Sequence, residues 1–429
     1  MLSTFFVLTS LVVAGLSSPV VIPRSPVSFP IARKFNFNGT STIVERDRAR
    51  VAALRSRADG ARNATRRAVV NQDVDNVAVL YSASIGVGSP ATAYDLIIDT
   101  GSSNTWIGAG TKYVQTSTST QTSNRVSVSY GSGSFSGREY TDQVTITSDL
   151  IIKSQSIGVA SSSSGFSGFD GILGIGPVEL TEGTLSPATS TLIPTVTDNL
   201  YSQGSITDDA VGVYFAPTTQ DEVVNGELSW GLYLRFCSTS FMSRTNCNSI
   251  LGGSDSSKIT GSIGYAPVTS TYPASVYWGI DESITYGTST TILSSTAGIV
   301  DTGTTLVYIA SNAFTKYKSA TGATLDSSTG LLRITSAQYA KLSSLFFNIN
   351  GVSYELTPNA QIWPRSLNTE IGGSSSAIYL IVNDIGTNSG EGLDFINGYT
   401  FLERFYTIFD TANSRIGFAK TSQTTATTN

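Results

Sequence analysis

The 429-residue chain contains no histidine. That absence excludes Ser-His-Asp and Cys-His nucleophile systems and histidine-ligated zinc. Acid–base work must fall to carboxylates, lysine or tyrosine. Two cysteines allow at most one intrachain disulfide, so no disulfide framework holds the fold. Charged residues make up 13% of the chain, about half the usual share. Beyond the first 18 residues, no apolar run approaches the roughly 18 that a membrane span needs. What is abundant is glycine (40), tyrosine (19) and phenylalanine (19), with many Ser and Thr. That mixture suits short β-strands and turns, and predicts a mainly β chain of one large or two ordinary domains.

Charge is unevenly spread. Residues 1–67 hold eleven Lys/Arg and three Asp/Glu, a balance of +8, whereas residues 68–429 sum to −13. An acidic body argues against nucleic acid as a partner. Residues 1–18 carry the runs Phe5–Leu8 and Leu11–Ala14 and end in small residues, which reads as a secretory signal without the usual leading Lys/Arg. Residues 19–67 read as a basic pro-segment. Its stretch Ile43–Ala61 is Arg-rich with Val51 and Leu54 at helical spacing, and Arg66-Arg67 offers a dibasic processing site. Both Asn-x-Ser/Thr sequons, at Asn38 and Asn63, fall in this segment. The polar C-terminal tail Thr421–Asn429 does not support a lipid anchor.

An internal repeat carries the chemistry. Leu96-Ile97-Ile98-Asp99-Thr100-Gly101-Ser102-Ser103 is matched 202 residues later by Gly298-Ile299-Val300-Asp301-Thr302-Gly303-Thr304-Thr305. Each copy is a buried-strand run, then Asp-Thr-Gly, then two hydroxyl residues. One Asp-Thr-Gly is usually a turn; two in the same setting are harder to dismiss. Two carboxylates at a pseudo-twofold axis cannot both ionise easily, so they share a proton and titrate as a unit. The ionised member can deprotonate a water while the acid protonates a carbonyl or leaving amine. Ser102 and Thr304 can bond the outer carboxylate oxygens, and no metal or cofactor is required.

At these residues the chain resembles the pepsin-type (family A1) aspartic endopeptidases, particularly secreted fungal members, from about Asn71 to Lys420. Tyr130-Gly131-Ser132-Gly133-Ser134 matches the family's flap, a hairpin that closes over substrate, and Trp106 stands where it would support the flap tyrosine. Phe169–Gly174 and Phe395–Leu402 match the segments behind the two catalytic loops, with Asn397 and Tyr399 departing from the commonest wording. Phe409–Asn413 and Ile416–Ala419 match the closing strands. The resemblance implies a bilobal, mainly β fold with a six-stranded sheet at its base and the active-site cleft between the lobes. It implies an N-terminal lobe over 68–212 and a C-terminal lobe over 213–429, crossing near Val211–Pro217. Asp99 and Asp301 would be catalytic, supported by Thr100, Gly101, Ser102, Thr302, Gly303 and Thr304. The flap would use Tyr130, Gly131, Ser132 and Gly133. Ile97, Tyr130, Phe135 and Phe166 are candidate pocket residues favouring apolar side chains, although core packing explains Ile97 and Phe135 equally well. The expected molecule is a secreted, cofactor-free monomer acting on extended peptides or proteins, inhibited by its own pro-segment, with Lys34 a candidate to approach the dyad.

One stretch breaks the pattern. Glu227–Gly231 should run directly into Gly253–Lys258, but 21 residues, Leu232 to Gly252, intervene. They hold both cysteines, Cys237 and Cys247, and the only methionine besides Met1. Three readings compete: a surface loop closed by a Cys237–Cys247 disulfide, a partner-binding loop, and translation through a retained in-frame intron, which we favour. The insert leaves a second functional reading open, a non-catalytic peptide-binding or misfolded form. A carboxylate glycosidase or carbohydrate-binding β-protein would need neither the repeat nor the flap.

Overall fold

A run such as Leu96-Ile97-Ile98, apolar on both faces, forms a stable strand only if it is covered on both sides. In the computed structural model, the strand Thr92–Asp99 is buried continuously from Leu96 onward. The structure describes residues 27–37, 41–62, 77–131, 133–231 and 254–428. The expected signal, Ser132, and the 232–252 insert with Cys237 and Cys247 lie outside the described residues.

Among the described residues strands dominate, in sheets of 14, seven and three strands. The sequence repeat is also a structural repeat. Thr92–Asp99 runs parallel to Gly171–Gly174, whose other edge pairs antiparallel with Trp106–Ile107. In the second half Thr290–Val300 runs parallel to Phe395–Asn397, whose other edge pairs antiparallel with Val307–Ile309. Each Asp-Thr-Gly loop therefore leaves a strand whose neighbour is a short apolar segment, and returns along that neighbour's far side. The turn is held between buried strands and cannot splay.

Six strands of the large sheet draw on both halves of the chain, in the order Gly264–Pro267, Arg415–Lys420, Phe405–Asp410, Ala210–Tyr214, Val223–Trp230 and Val27–Phe37. The predicted crossing at Val211–Pro217 begins in the fourth of these strands. The last place is filled from the basic N-terminal segment, with Val27 opposite Trp230 and Ala32 opposite Ser82. The sheet then continues into the first half without a break.

The long helix Ile43–Arg62 follows that strand. It starts with a capping box: the Glu45 N–H donates to Thr42 Oγ1 (3.2 Å) and the Thr42 N–H to Glu45 Oε2 (2.7 Å). Its buried stripe recurs at helical spacing through Ile43, Asp47, Arg50, Leu54 and Ala58. Charged groups thus sit on the face that a helix ordinarily keeps apolar. Among the described residues, no helix is long and apolar enough to cross a membrane.

Candidate active site

The two Asp-Thr-Gly loops meet tip to tip. The Thr100 N–H donates to Thr302 Oγ1 and the Thr302 N–H to Thr100 Oγ1, both at 3.0 Å. The hydroxyls then reach across to the opposite strand, Thr302 Oγ1 to the Ile98 carbonyl (2.9 Å) and Thr100 Oγ1 to that of Val300 (3.3 Å). A hydroxyl side chain is needed here because one side chain must accept from one loop and donate into the strand behind it.

This lock holds the two carboxyl groups together, both nearly inaccessible to solvent. Asp99 accepts the Gly101 N–H (3.0 Å) and the Ser102 hydroxyl (2.5 Å); Asp301 accepts the Gly303 N–H (3.1 Å) and the Thr304 hydroxyl (2.5 Å). The glycines follow from this closeness. A Cβ on Gly101 would stand 2.8 Å from Asp301 Oδ1, and one on Gly303 would stand 2.7 Å from Asp99 Oδ1.

Residues 80–235 and 233–421 match a family model for eukaryotic aspartyl proteases. The chain belongs to the pepsin-type aspartic proteases. Polyporopepsin of Irpex lacteus is 64% identical over 354 residues, 82% of this chain and 98% of its own. Pepsin A of Sus scrofa is 30% identical over 357 residues, covering 79% and 80%. A crystal structure of the aspartic proteinase from Irpex lacteus, 64% identical, matches with a TM-score of 0.75 over 82% of this chain and 96% of that one. This aspartic protease is an endopeptidase and acts on peptide bonds.

The hairpin expected to act as the flap lies between the strands Thr120–Ser129 and Ser134–Thr147. Its turn is closed by the Tyr130 N–H donating to the Gly133 carbonyl (2.8 Å). Gly131 has a φ of +79°, and a Cβ there would fall 2.2 Å from the Ala49 carbonyl of the helix. Trp106 sits behind Tyr130 in an aromatic stack. Its ring centroid is 4.2 Å from that of Phe135, 4.8 Å from Phe166 and 6.4 Å from Tyr130. Ile97, Phe135 and Phe166 belong to this same buried cluster, so all four candidate pocket residues are brought together.

Between flap and second half runs the helix. Arg50 Nε donates to Asp301 Oδ2 (2.7 Å), and its Nη2 donates to Asp301 Oδ1 (2.8 Å) and to Asp99 Oδ1. Burial raises the Asp301 carboxyl pKa, but Arg50 and the Thr304 and Gly303 donors outweigh it and hold the group below its ordinary value. Asp47 accepts the N–H groups of Thr305 (3.1 Å) and Leu306 (3.0 Å); burial pushes it up to about 6 despite Arg46 beside it. Arg57 donates to the Gly101 carbonyl (3.1 Å) and to that of Ser129 (2.7 Å), 5.3 Å from the Tyr130 ring centroid.

Lys34 does not approach the dyad: it pairs with Asp95, two strands away in the sheet, across Val77–Val87. It lies on an extended segment that leads away from the loops, whereas Arg50 projects from a helix laid across them. The signal for Arg50 was the helical spacing already visible around Val51 and Leu54, extended one residue back. The two departures in Phe395–Leu402 also acquire partners. The Tyr399 hydroxyl accepts from buried Arg33 of the N-terminal strand (3.4 Å), and Asn397 Nδ2 donates to buried Glu282 (2.8 Å).

Proposed function

We propose that Asp99 and Asp301 are the catalytic dyad of a secreted acid endopeptidase, made as a zymogen with residues 19–67 as its inhibitor. The observation that carries this reading is the mirrored pair of buried carboxylates, locked loop to loop and bridged by one arginine from the N-terminal helix. With that helix gone, the two carboxyl groups share one proton. The ionised member takes a proton from water, which attacks the scissile carbonyl, while the neutral member protonates the carbonyl oxygen. The proton taken from water then passes to the leaving amine as the C–N bond breaks, and a diol hydroxyl returns a proton to the other carboxylate, restoring the shared-proton pair. Tyr130 and the aromatic cluster behind it favour apolar side chains beside the scissile bond, and the flap excludes water on closing.

The helix holds the cleft as a substrate would, taking the Thr305 and Leu306 N–H groups through Asp47 and the flap through Arg57. The pH sign separates these contacts. Asp301 is depressed when docked, so its contribution is present above the undocked carboxylate value and is lost as pH falls through the docked one. Asp47 is raised when docked, so its contribution is greatest in acid. Acid release therefore runs through the Arg50 bridge, not through Asp47.

The mature enzyme comprises lobes 68–212 and 213–429, and the 232–252 insert is absent from its working form. Supporting this, the two flanks are already close. The Tyr406 hydroxyl donates to Ser229 Oγ (3.0 Å) and accepts the Asp255 N–H (2.9 Å). Peptide mass spectrometry of active enzyme tests it: a peptide joining Gly231 to Gly253 agrees, and peptides from within 232–252 overturn it. The catalytic reading is tested by the pH profile of the processed enzyme on an unfolded protein substrate. Maximal turnover in acid is expected, and a maximum above neutrality is incompatible with a shared-proton dyad.

A further inference from the structure

Glu282 lies in the middle of the strand Gly279–Tyr286 and is buried. It stands opposite Thr296 on one side and Ile349 on the other. The strands around it, Gly279–Tyr286, Thr290–Val300, Val307–Ile309, Leu345–Ile349 and Phe395–Asn397, carry no Lys or Arg. Their other carboxylate, Asp281, accepts from Thr269 (3.1 Å). Nearby Asp394 takes the Thr296 hydroxyl (2.5 Å) and the Gly390 N–H (2.7 Å). Asp301, on the loop that follows Val300, is held by Arg50. No cation faces Glu282 from any of these elements.

Its one hydrogen-bond partner among the described residues is Asn397, whose Nδ2 donates to Glu282 Oε2 at 2.8 Å. The remaining side-chain oxygens, Glu282 Oε1 and Asn397 Oδ1, are both buried with no hydrogen-bond partner among the described residues. Two acceptors without a donor are costly in a dry interior. A proton on Glu282 Oε1 removes the conflict, because a carboxylic acid and an amide can each donate to the other. Burial alone pushes the Glu282 carboxyl up to about 8, so the neutral acid is the form present where this protease works.

Asn397 connects the pair to the chemistry. Its carbonyl accepts the Asp301 N–H (3.1 Å), and it pairs with Val300 and Val307 on the strands entering and leaving the catalytic loop. The first half supplies the control. With the 202-residue offset of the repeat, Thr296 corresponds to Tyr94, whose partner is Ile85, and Val300 corresponds to Ile98, whose partner is Leu173. Ile85 and Leu173 are buried and apolar. The same fold position thus works with an apolar pair, and the second half carries a polar one instead.

We propose that Glu282 and Asn397 form a proton-dependent carboxylic acid–amide pair that seats the Asp301 loop, making both of them positioning residues for the reaction. The proposal rests on Asp301 as half of the dyad. When the proton leaves, an anion without a counter-charge remains beneath the loop, the pair opens and Asp301 loses its placement. Loss of activity on the alkaline side is then a structural event in the second half, distinct from titration of the dyad.

The test uses processed enzyme, held at graded pH up to about 9, a unit past the group's own value, and returned to acid for assay. Glu282→Gln keeps both hydrogen bonds but cannot ionise. It is expected to keep acid kcat and to survive the alkaline hold that inactivates the parent. Glu282→Leu, which orphans Asn397, is expected to lower kcat on the order of tenfold with little change in KM, from the penalty of one unpaired buried group. The double variant Glu282→Ile/Asn397→Leu, copying the first half, is expected to fold and to show no alkaline step. Infrared spectra should show a protonated carboxylic acid band at neutral pH that Glu282→Gln lacks. If Glu282→Gln inactivates at the same pH as the parent, or the band is unchanged, the proposal is wrong. Asp301→Asn separates this outcome from failure of the dyad reading, since it removes turnover while leaving that band in place.

Discussion

The two Asp-Thr-Gly halves agree in front and differ behind. At the tips, corresponding hydrogen bonds match to within a few tenths of an ångström: 3.0 and 3.1 Å from Gly101 and Gly303, 2.5 Å from both Ser102 and Thr304, and 3.0 Å for both arms of the threonine lock. Behind them, one strand rests on Ile85 and Leu173, and the other on Glu282 and Asn397. The occupying arginine is also asymmetric, giving Asp301 two hydrogen bonds and Asp99 one. The hairpin proposed as the flap belongs to the first half. On the proposed dyad reading, the difference teaches that the reacting geometry demands symmetry, because either carboxyl must be able to hold the shared proton. The scaffold needs only to keep the loops in place, and apolar packing or a neutral polar pair can both do so.

The sharpest way to break the comparison is to remove one carboxylate at a time. Asn at Asp99 or at Asp301 should lower kcat by several orders of magnitude with the fold retained, because neither half works alone. Near-normal turnover by either purified variant would sink the dyad assignment.

The arginine bridge is the next largest effect. Arg50→Gln removes charge-assisted hydrogen bonds worth roughly 1.5–3 kcal/mol each. Protein retaining residues 19–67 should then cleave substrate near neutral pH at least about tenfold faster than the parent with the same segment. Lys34→Ala should leave that latency nearly unchanged, since its partner is Asp95. Equal latency in the Arg50 variant and its parent, under conditions that block processing, would show that inhibition comes from elsewhere.

Stability against pH sharpens the contrast between the halves. The processed enzyme retains Glu282, raised from 4.5 to about 8 by burial, and Asp209, raised from 3.8 to about 7 by burial and by Asp198. Groups raised on folding contribute fully below their unfolded values, and that contribution is lost as pH rises through the folded ones. The melting temperature should therefore fall between about pH 4 and 8, measured by calorimetry. Glu282→Gln should flatten the upper part of that slope, and Asp209→Asn the middle. A melting temperature that rises across this window contradicts the assignment.

The smallest effect probes the shared lock. Thr100→Val and Thr302→Val each orphan a buried N–H of the opposite loop, a cost of about 1–3 kcal/mol. Because the bonds are reciprocal, the two variants should lose similar stability in denaturant titrations. A large inequality would mean that the lock is not symmetric in energy.

The site was legible in the sequence to the extent that it is local. The repeat, the glycines and the following hydroxyl residues lie within eight residues of each other, and the structure brings all of them to one place. The occupant of the cleft was only half legible. The segment's basic charge and helical spacing were visible, yet Lys34 was as eligible as any of its arginines until the strand Val27–Phe37 was seen to take its place in the sheet. A strand carries Lys34 past the loops, and only the helix direction after Thr42 aims Arg50 at them. Asn397 looked like a neutral departure from a common wording, because its partner Glu282 is 115 residues away.

What this sequence determines by itself is what short-range chemistry can encode. The lack of histidine leaves acid–base work to carboxylates, lysine or tyrosine. The alternation of apolar runs with turns makes strands, and the doubled Asp-Thr-Gly makes two matching loops. The tertiary structure alone decides which groups lose their water together. Burial at the meeting of two distant strands turns Glu282 into a neutral acid, and it places Arg50 rather than Lys34 between two carboxylates. Such properties depend on desolvation and on the charges within a few ångströms, and a sequence specifies them only once it has folded.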